Sequence, residues 1–159
     1  MKVRTAAIAA IIAAGSAANA SAQTATQTVT YEVQAINQIA VSGSPSLVIS
    51  TAVAGSAPTS VTAAATYAIT TNESDRKITA QLDSDMPAGV TLSLQMAAPS
   101  GGASTGAQAL STSAVDLVTG VSLLNEAGLG LTYTLSATSA AGVVPSATKT
   151  VTFTVAAGA

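Results

Sequence analysis

The feature that most constrains this chain is a strict two-residue alternation near its C-terminal end. From Leu131, the apolar residues Leu131, Tyr133, Leu135 and Ala137 alternate with Thr132, Thr134, Ser136 and Thr138. After an intervening SAAGVVPSA segment, Val151, Phe153 and Val155 alternate with Thr150, Thr152 and Thr154. Period two means an extended strand with one face on a core and the other in water. The two strands are read as a closing β-hairpin. A lone hairpin cannot bury its apolar face, so the rest of the chain must supply an opposing sheet.

The same pattern recurs upstream. Residues 23–35, QTATQTVTYEVQA, place Ala25, Val29, Tyr31, Val33 and Ala35 on one face against Thr, Glu and Gln on the other. This predicts a long first strand. The alternation slips at Ile36-Asn37, as at a bend or bulge, and resumes at Ile39 and Val41. Leu47 and Ile49 predict a short strand, and Val53 to Thr59 a loop. Ser60 to Thr70 and Lys77 to Asp83 predict a second hairpin around the polar turn Thr71–Asp75, with Ile78, Ala80 and Leu82 inward. Val90, Leu92, Leu94 and Met96 form the most apolar single-faced strand. Ala98 to Gly106 reads as a surface loop, and Ala107 to Thr112 as a brief strand. Ser113 to Val118 is the one helix candidate, with Ser113 as N-cap and Asp116 at capping-box spacing. Short strands separated by Gly, Pro, Ser and Asn turns predict an all-β fold, a single antiparallel β-sandwich.

The N-terminal residues predict export. Lys2 and Arg4 precede an apolar run from Ala6 to Ala14, and small residues end in Ala20-Ser21-Ala22. A basic start, short apolar run and A-x-A ending describe a signal peptide over residues 1–22, leaving residues 23–159 as one domain. The run is shorter than the roughly 20 residues a membrane helix needs, so no span is expected in the mature chain. The expected location is extracellular, at the cell surface or in the periplasm.

Composition narrows the chemistry. After cleavage the cations are Arg76, Lys77 and Lys149, against seven acids. That balance offers no electrostatic footprint for nucleic acid. Without His or Cys, triads built on imidazole or thiol and nitrogen- or sulfur-ligated zinc are excluded. No phosphate-binding glycine motif occurs. The sequence therefore predicts no enzyme, no catalytic or cofactor-binding residue, no metal ligand and no cofactor. Asp83 with Asp85 and Glu73 with Asp75 are two oxygen-ligand pairs that could suit calcium, each equally at home in a turn. Lys149 shares the face of Val151 and Phe153, which makes it a candidate for an isopeptide bond to Asn37, Asn72 or Asn125; a lysine snorkelling at a strand end is the plainer reading. Tyr31, Tyr67, Tyr133 and Phe153 fall on apolar faces and read as core.

Charged residues make up only 8% of the chain, well below the usual quarter or so. Lysines and charged edges normally keep sheets apart. Residues 23–35 are thus open to two uses: the first strand of their own sheet, or a strand lent to a neighbour's sheet edge. The loops 98–106 and 139–147 are the alternative recognition surface. The segments TVTYEV (28–33) and TKTVTFTV (148–155) resemble those of secreted bacterial immunoglobulin-like surface domains of pilin or spore-coat style. That resemblance implies an immunoglobulin-like sandwich, a structural role at the surface, and copies of itself or other surface proteins as partners. It assigns no functional residue.

Overall fold

The computed structural model describes residues 23–158. The predicted signal peptide, residues 1–22, lies outside the described residues. The chain divides into two units, Met1–Glu32 and Val33–Ala159. In the described part of the first, residues 23–32, every residue is exposed and none is in a helix or strand.

The second unit carries nine strands among its described residues: β1 (Asn37–Ser42), β2 (Val61–Thr71), β3 (Arg76–Leu82), β4 (Val90–Met96), β5 (Ala103–Ser104), β6 (Gln108–Ala109), β7 (Val115–Val121), β8 (Leu124–Ala137) and β9 (Val151–Ala157). One sheet has the order β1-β2-β8-β4-β6, the other β5-β7-β3-β9. Every pairing is antiparallel. Tyr67, Ile69, Leu92, Leu94, Met96, Leu131 and Tyr133 of the first sheet meet Ile78, Ala80, Leu82, Leu117, Val118 and Val121 of the second in one buried cluster. Two antiparallel sheets around one core are the arrangement of a β-sandwich. The alternation places Ile78, Ala80, Leu82, Val90, Leu92, Leu94 and Met96 inward; Val90, at the start of its strand, is half-buried, and the other six are buried.

Both predicted hairpins are corrected. β8 pairs with β2 and β4, whereas β9 pairs with β3 in the other sheet. Likewise β2 and β3 lie in different sheets. From β2 onward, each successive strand crosses to the opposite sheet; β1 and β2 alone are both consecutive and paired. Alternation shows which face of a strand is inward, and that face is the same whether the next strand lies beside it or across the core. The hydrogen-bonding partner is decided only when the sheets assemble.

The helix candidate is also corrected, because Val115–Val121 is strand β7. Leu117 and Val118 are adjacent and both fully buried, and the register with β3 shifts at that point, from Ile78↔Val118 to Thr79↔Asp116. A bulge sets two consecutive side chains toward one side. Val115, Leu117 and Val118 therefore imitate helical spacing. A second irregularity interrupts the β2–β8 ladder between Tyr67 and Ile69, opposite Gly128, whose φ of 72° suits a bulge.

Two further expectations fail. Residues 23–35 form no strand, and Tyr31, expected in the core, is 90% exposed. Leu47 and Ile49 also lie outside any strand, although Leu47 packs against the core; residues 43–60 hold one isolated bridge, Ala52↔Pro58. The slip at Ile36-Asn37 is the start of β1, not a bend within a strand.

Candidate functional site

The chain enters the sandwich through a polar clasp. Asn72, in the turn after β2, donates from Nδ2 to the Gln34 carbonyl (2.7 Å) and accepts at Oδ1 from the Ile36 N–H (2.7 Å). Its own N–H donates to the Ile36 carbonyl (3.2 Å). Beside it, Thr71 Oγ1 donates to Asn37 Oδ1 (2.8 Å), Asn37 Nδ2 donates to Glu73, and Glu73 pairs with Arg76. These bonds hold residues 34–37 against the domain. Upstream, Val29, Tyr31 and Val33 are 73%, 90% and 77% exposed. Among the described residues, no hydrogen bond involves residues 23–33.

The clasp holds the Glu73 carboxyl below the usual carboxylate range, chiefly through the Asn37 hydrogen bond, with Arg76 adding and desolvation opposing. A carboxylate favoured in the folded state stabilises it at neutral pH, and that contribution is lost as pH falls below its ordinary 4.5. Glu73→Gln is expected to flatten the acid limb of stability, read as unfolding midpoints between about pH 5 and 2.

Among the described residues, the long edges without a ladder partner are those of β1 and β9, which lie near each other. The Asp83 N–H donates to the Thr150 carbonyl (3.0 Å), next in register after Leu82↔Val151. Hydrogen-bonded and non-bonded pairs alternate along an antiparallel ladder. Thr152, Thr154 and Ala156 therefore turn their backbone groups to β3. Val151, Phe153, Val155 and Ala157 turn theirs to the open side. The Gly158 N–H, donating to the Asp75 carbonyl (2.7 Å), keeps the same parity. Val151, Phe153 and Val155 are half-buried against the core. On β1 only Ile39 packs inward, and Ala40, Val41 and Ser42 are exposed. The opposite margins, β5 and β6, are two residues each.

The acids are spread through turns and ladders. Asp85 Oδ1 accepts from the Thr112 N–H (3.1 Å), Glu126 Oε1 from the Ser100 N–H (2.9 Å), and Asp116 pairs with Lys77 (3.2 Å). Glu73 is engaged by Asn37 and Arg76. Among the described residues, no three His, Cys, Asp or Glu side chains gather. Lys149 donates to Ser84 Oγ and to the Asp85 carbonyl, both at 2.7 Å. It is thus held at the 83–85 turn, while Asn37 and Asn72 sit in the clasp and Asn125 pairs in register with Thr70. No isopeptide geometry results.

Tyr67 and Tyr133 are buried as expected, and Phe153 is half-buried against the core. The Tyr67 hydroxyl donates to the Ala97 carbonyl, and burial, with Glu126 adding, pushes its pKa up to about 12. Of the predicted recognition loops, 139–147 ends in an exposed apolar tip, with Val143 99% exposed. Among the described residues, no helix is long and apolar enough to cross a membrane.

Sequence reasoning singled out residues 23–35 but missed the β9 edge, because it had paired β9 with β8. No local signal marked it, because the alternation of Val151, Phe153 and Val155 shows the inward face of the strand and says nothing of its lateral neighbours. No protein-family model, curated protein or solved structure matches the chain.

Proposed function

We propose that this chain is an exported structural subunit of a bacterial surface, an immunoglobulin-like sandwich that self-associates through its sheet edges and performs no bond-making chemistry. One observation carries the reading: the apolar row Val29, Tyr31, Val33 stands exposed on a chain that, among its described residues, also leaves the outer edge of β9 unpaired. Exposed apolar rows and unprotected edges are features that monomeric proteins suppress. Few charges oppose association, since Lys and Arg number five in 159 residues. The signal-peptide pattern in the sequence of residues 1–22 fits a surface location.

Light scattering coupled to size-exclusion chromatography tests this. The expected result is multimers that grow with concentration, with filaments in negative-stain micrographs. A monomer at every concentration would remove the reading. The exposed tip at Val143 favours a second one, a secreted binding module that engages a glycan or protein through its end loops. That module would remain monomeric.

A further inference from the structure

Resting on that reading, we infer that residues 28–33 of one copy add as an antiparallel strand to the open edge of β9 in a second copy. The two segments match in pattern and length. Thr28-Val29-Thr30-Tyr31-Glu32-Val33 alternates polar and apolar residues, as does Thr150-Val151-Thr152-Phe153-Thr154-Val155. Placed side by side, Val29, Tyr31 and Val33 extend the apolar row of Val151, Phe153 and Val155 over the core. Thr28, Thr30 and Glu32 join Thr150, Thr152 and Thr154 on the solvent face. The open edge presents the N–H and C=O groups of Val151, Phe153, Val155 and Ala157, a ready template for a further strand. Main-chain hydrogen bonds supply affinity in such additions, and the alternating side chains supply register.

The other edges fit less well. β1 buries only Ile39 and lacks an apolar row for the donor to extend. β5 and β6 are too short to template six residues.

Chain direction argues against the molecule's own β9. β1 starts opposite the end of β2 (Asn37↔Thr71), and β9 ends opposite the start of β3 (Arg76↔Ala157). Both points flank the Asn72–Asp75 turn. A segment running toward Ile36 along its own β9 would therefore lie parallel to it, in a domain whose every pairing is antiparallel. Parallel pairing is also slightly weaker per residue. A second copy can approach in the antiparallel sense. Donor and acceptor are different patches of one surface, so the contact is head-to-tail, and it builds filaments unless its rotation closes a ring.

The absence of native cysteine makes disulfide trapping clean. Thr152 turns its backbone toward β3, so across the open edge it occupies a non-hydrogen-bonded pair, the closer kind, within disulfide reach. Full-length Thr28→Cys, Thr30→Cys and Glu32→Cys chains, carrying a mass tag, are each mixed with untagged Thr152→Cys and oxidised. Gln38→Cys on β1 is the control acceptor. The expected result is a mixed dimer with Thr152→Cys in one of the three registers, at least tenfold above that with Gln38→Cys. Preferential trapping on Gln38→Cys overturns the choice of edge. Multimers that trap on neither overturn the donor strand and leave the self-associating subunit standing. Absence of multimers overturns both. A Thr30→Cys/Thr152→Cys double variant that closes within single chains, independent of concentration, overturns pairing between copies.

Discussion

Deleting residues 23–33 is expected to abolish the multimer and leave the domain folded. The segment is exposed throughout, and no described hydrogen bond ties it down. The contacts that seat the chain, from Asn72 to Gln34 and Ile36, lie downstream of the deletion. Stability should therefore change by no more than about 0.5 kcal/mol, as for surface changes that touch no cap, core or network. Light scattering reports the loss of assembly, and a chemical denaturation curve reports the retained fold. If the shortened chain unfolds instead, residues 23–33 belong to their own sheet. A shortened chain that assembles as before would show that other edges do the joining.

Leu94→Ala should produce a large loss of stability. Leu94 is fully buried in β4, and its strand is flanked by β8 and β6. Its side chain packs in the cluster shared by both sheets, whose neighbours are strands already committed to ladders. Such a site collapses poorly around a void, and Leu→Ala in a core costs roughly 2–5 kcal/mol. That is a large share of the 5–15 kcal/mol typical of a domain. The chain has no disulfide to limit the loss. A denaturation midpoint shifted to lower concentration with an unchanged slope would identify the effect as stability alone. Val143→Ala, at the exposed loop tip, should leave the midpoint in place. A loss below about 1 kcal/mol at Leu94 would mean that the two sheets do not share one tightly packed core.

The two predictions separate the halves of the molecule's behaviour. Leu94 tests how the sandwich holds together, and residues 23–33 test what it does once folded. A filament that depends on residues 23–33 yet survives a modest core destabilisation would place assembly in the tail and edge. The order of the strands adds a kinetic consequence. Since successive strands from β2 onward lie in opposite sheets, nearly all pairing joins residues distant in the chain. Such topologies fold slowly, because loop closure precedes the contacts that compensate it. Unpaired edges then persist longer in the incompletely folded chain.

Alternation along Ile78–Leu82 and Val90–Met96 was enough to pick out Ile78, Ala80, Leu82, Leu92, Leu94 and Met96 as core, because the period of a strand is a local property of the backbone; it did not foresee the burial of Thr79. The turn residues and the recurrence of short period-two segments were enough for the all-β class. Composition sufficed to exclude imidazole and thiol chemistry, since a side chain that is absent cannot act in any fold. Pairing was a different matter. Leu131–Ala137 and Val151–Val155 look like the arms of one hairpin, yet they belong to opposite sheets. The alternation is identical in both cases, and only the assembled ladders, such as Leu92↔Leu135 and Ala80↔Phe153, distinguish them. The capping-box spacing of Ser113 and Asp116 suggested a helix for a related reason: only the opposing β3 shows Asp116 to be a ladder residue opposite Thr79, beside a bulge at Leu117-Val118. The exposure of Val29, Tyr31 and Val33 was likewise beyond the reach of local pattern. An apolar face declares that it needs a partner, but whether the same chain supplies one depends on which edges the completed sheets leave open.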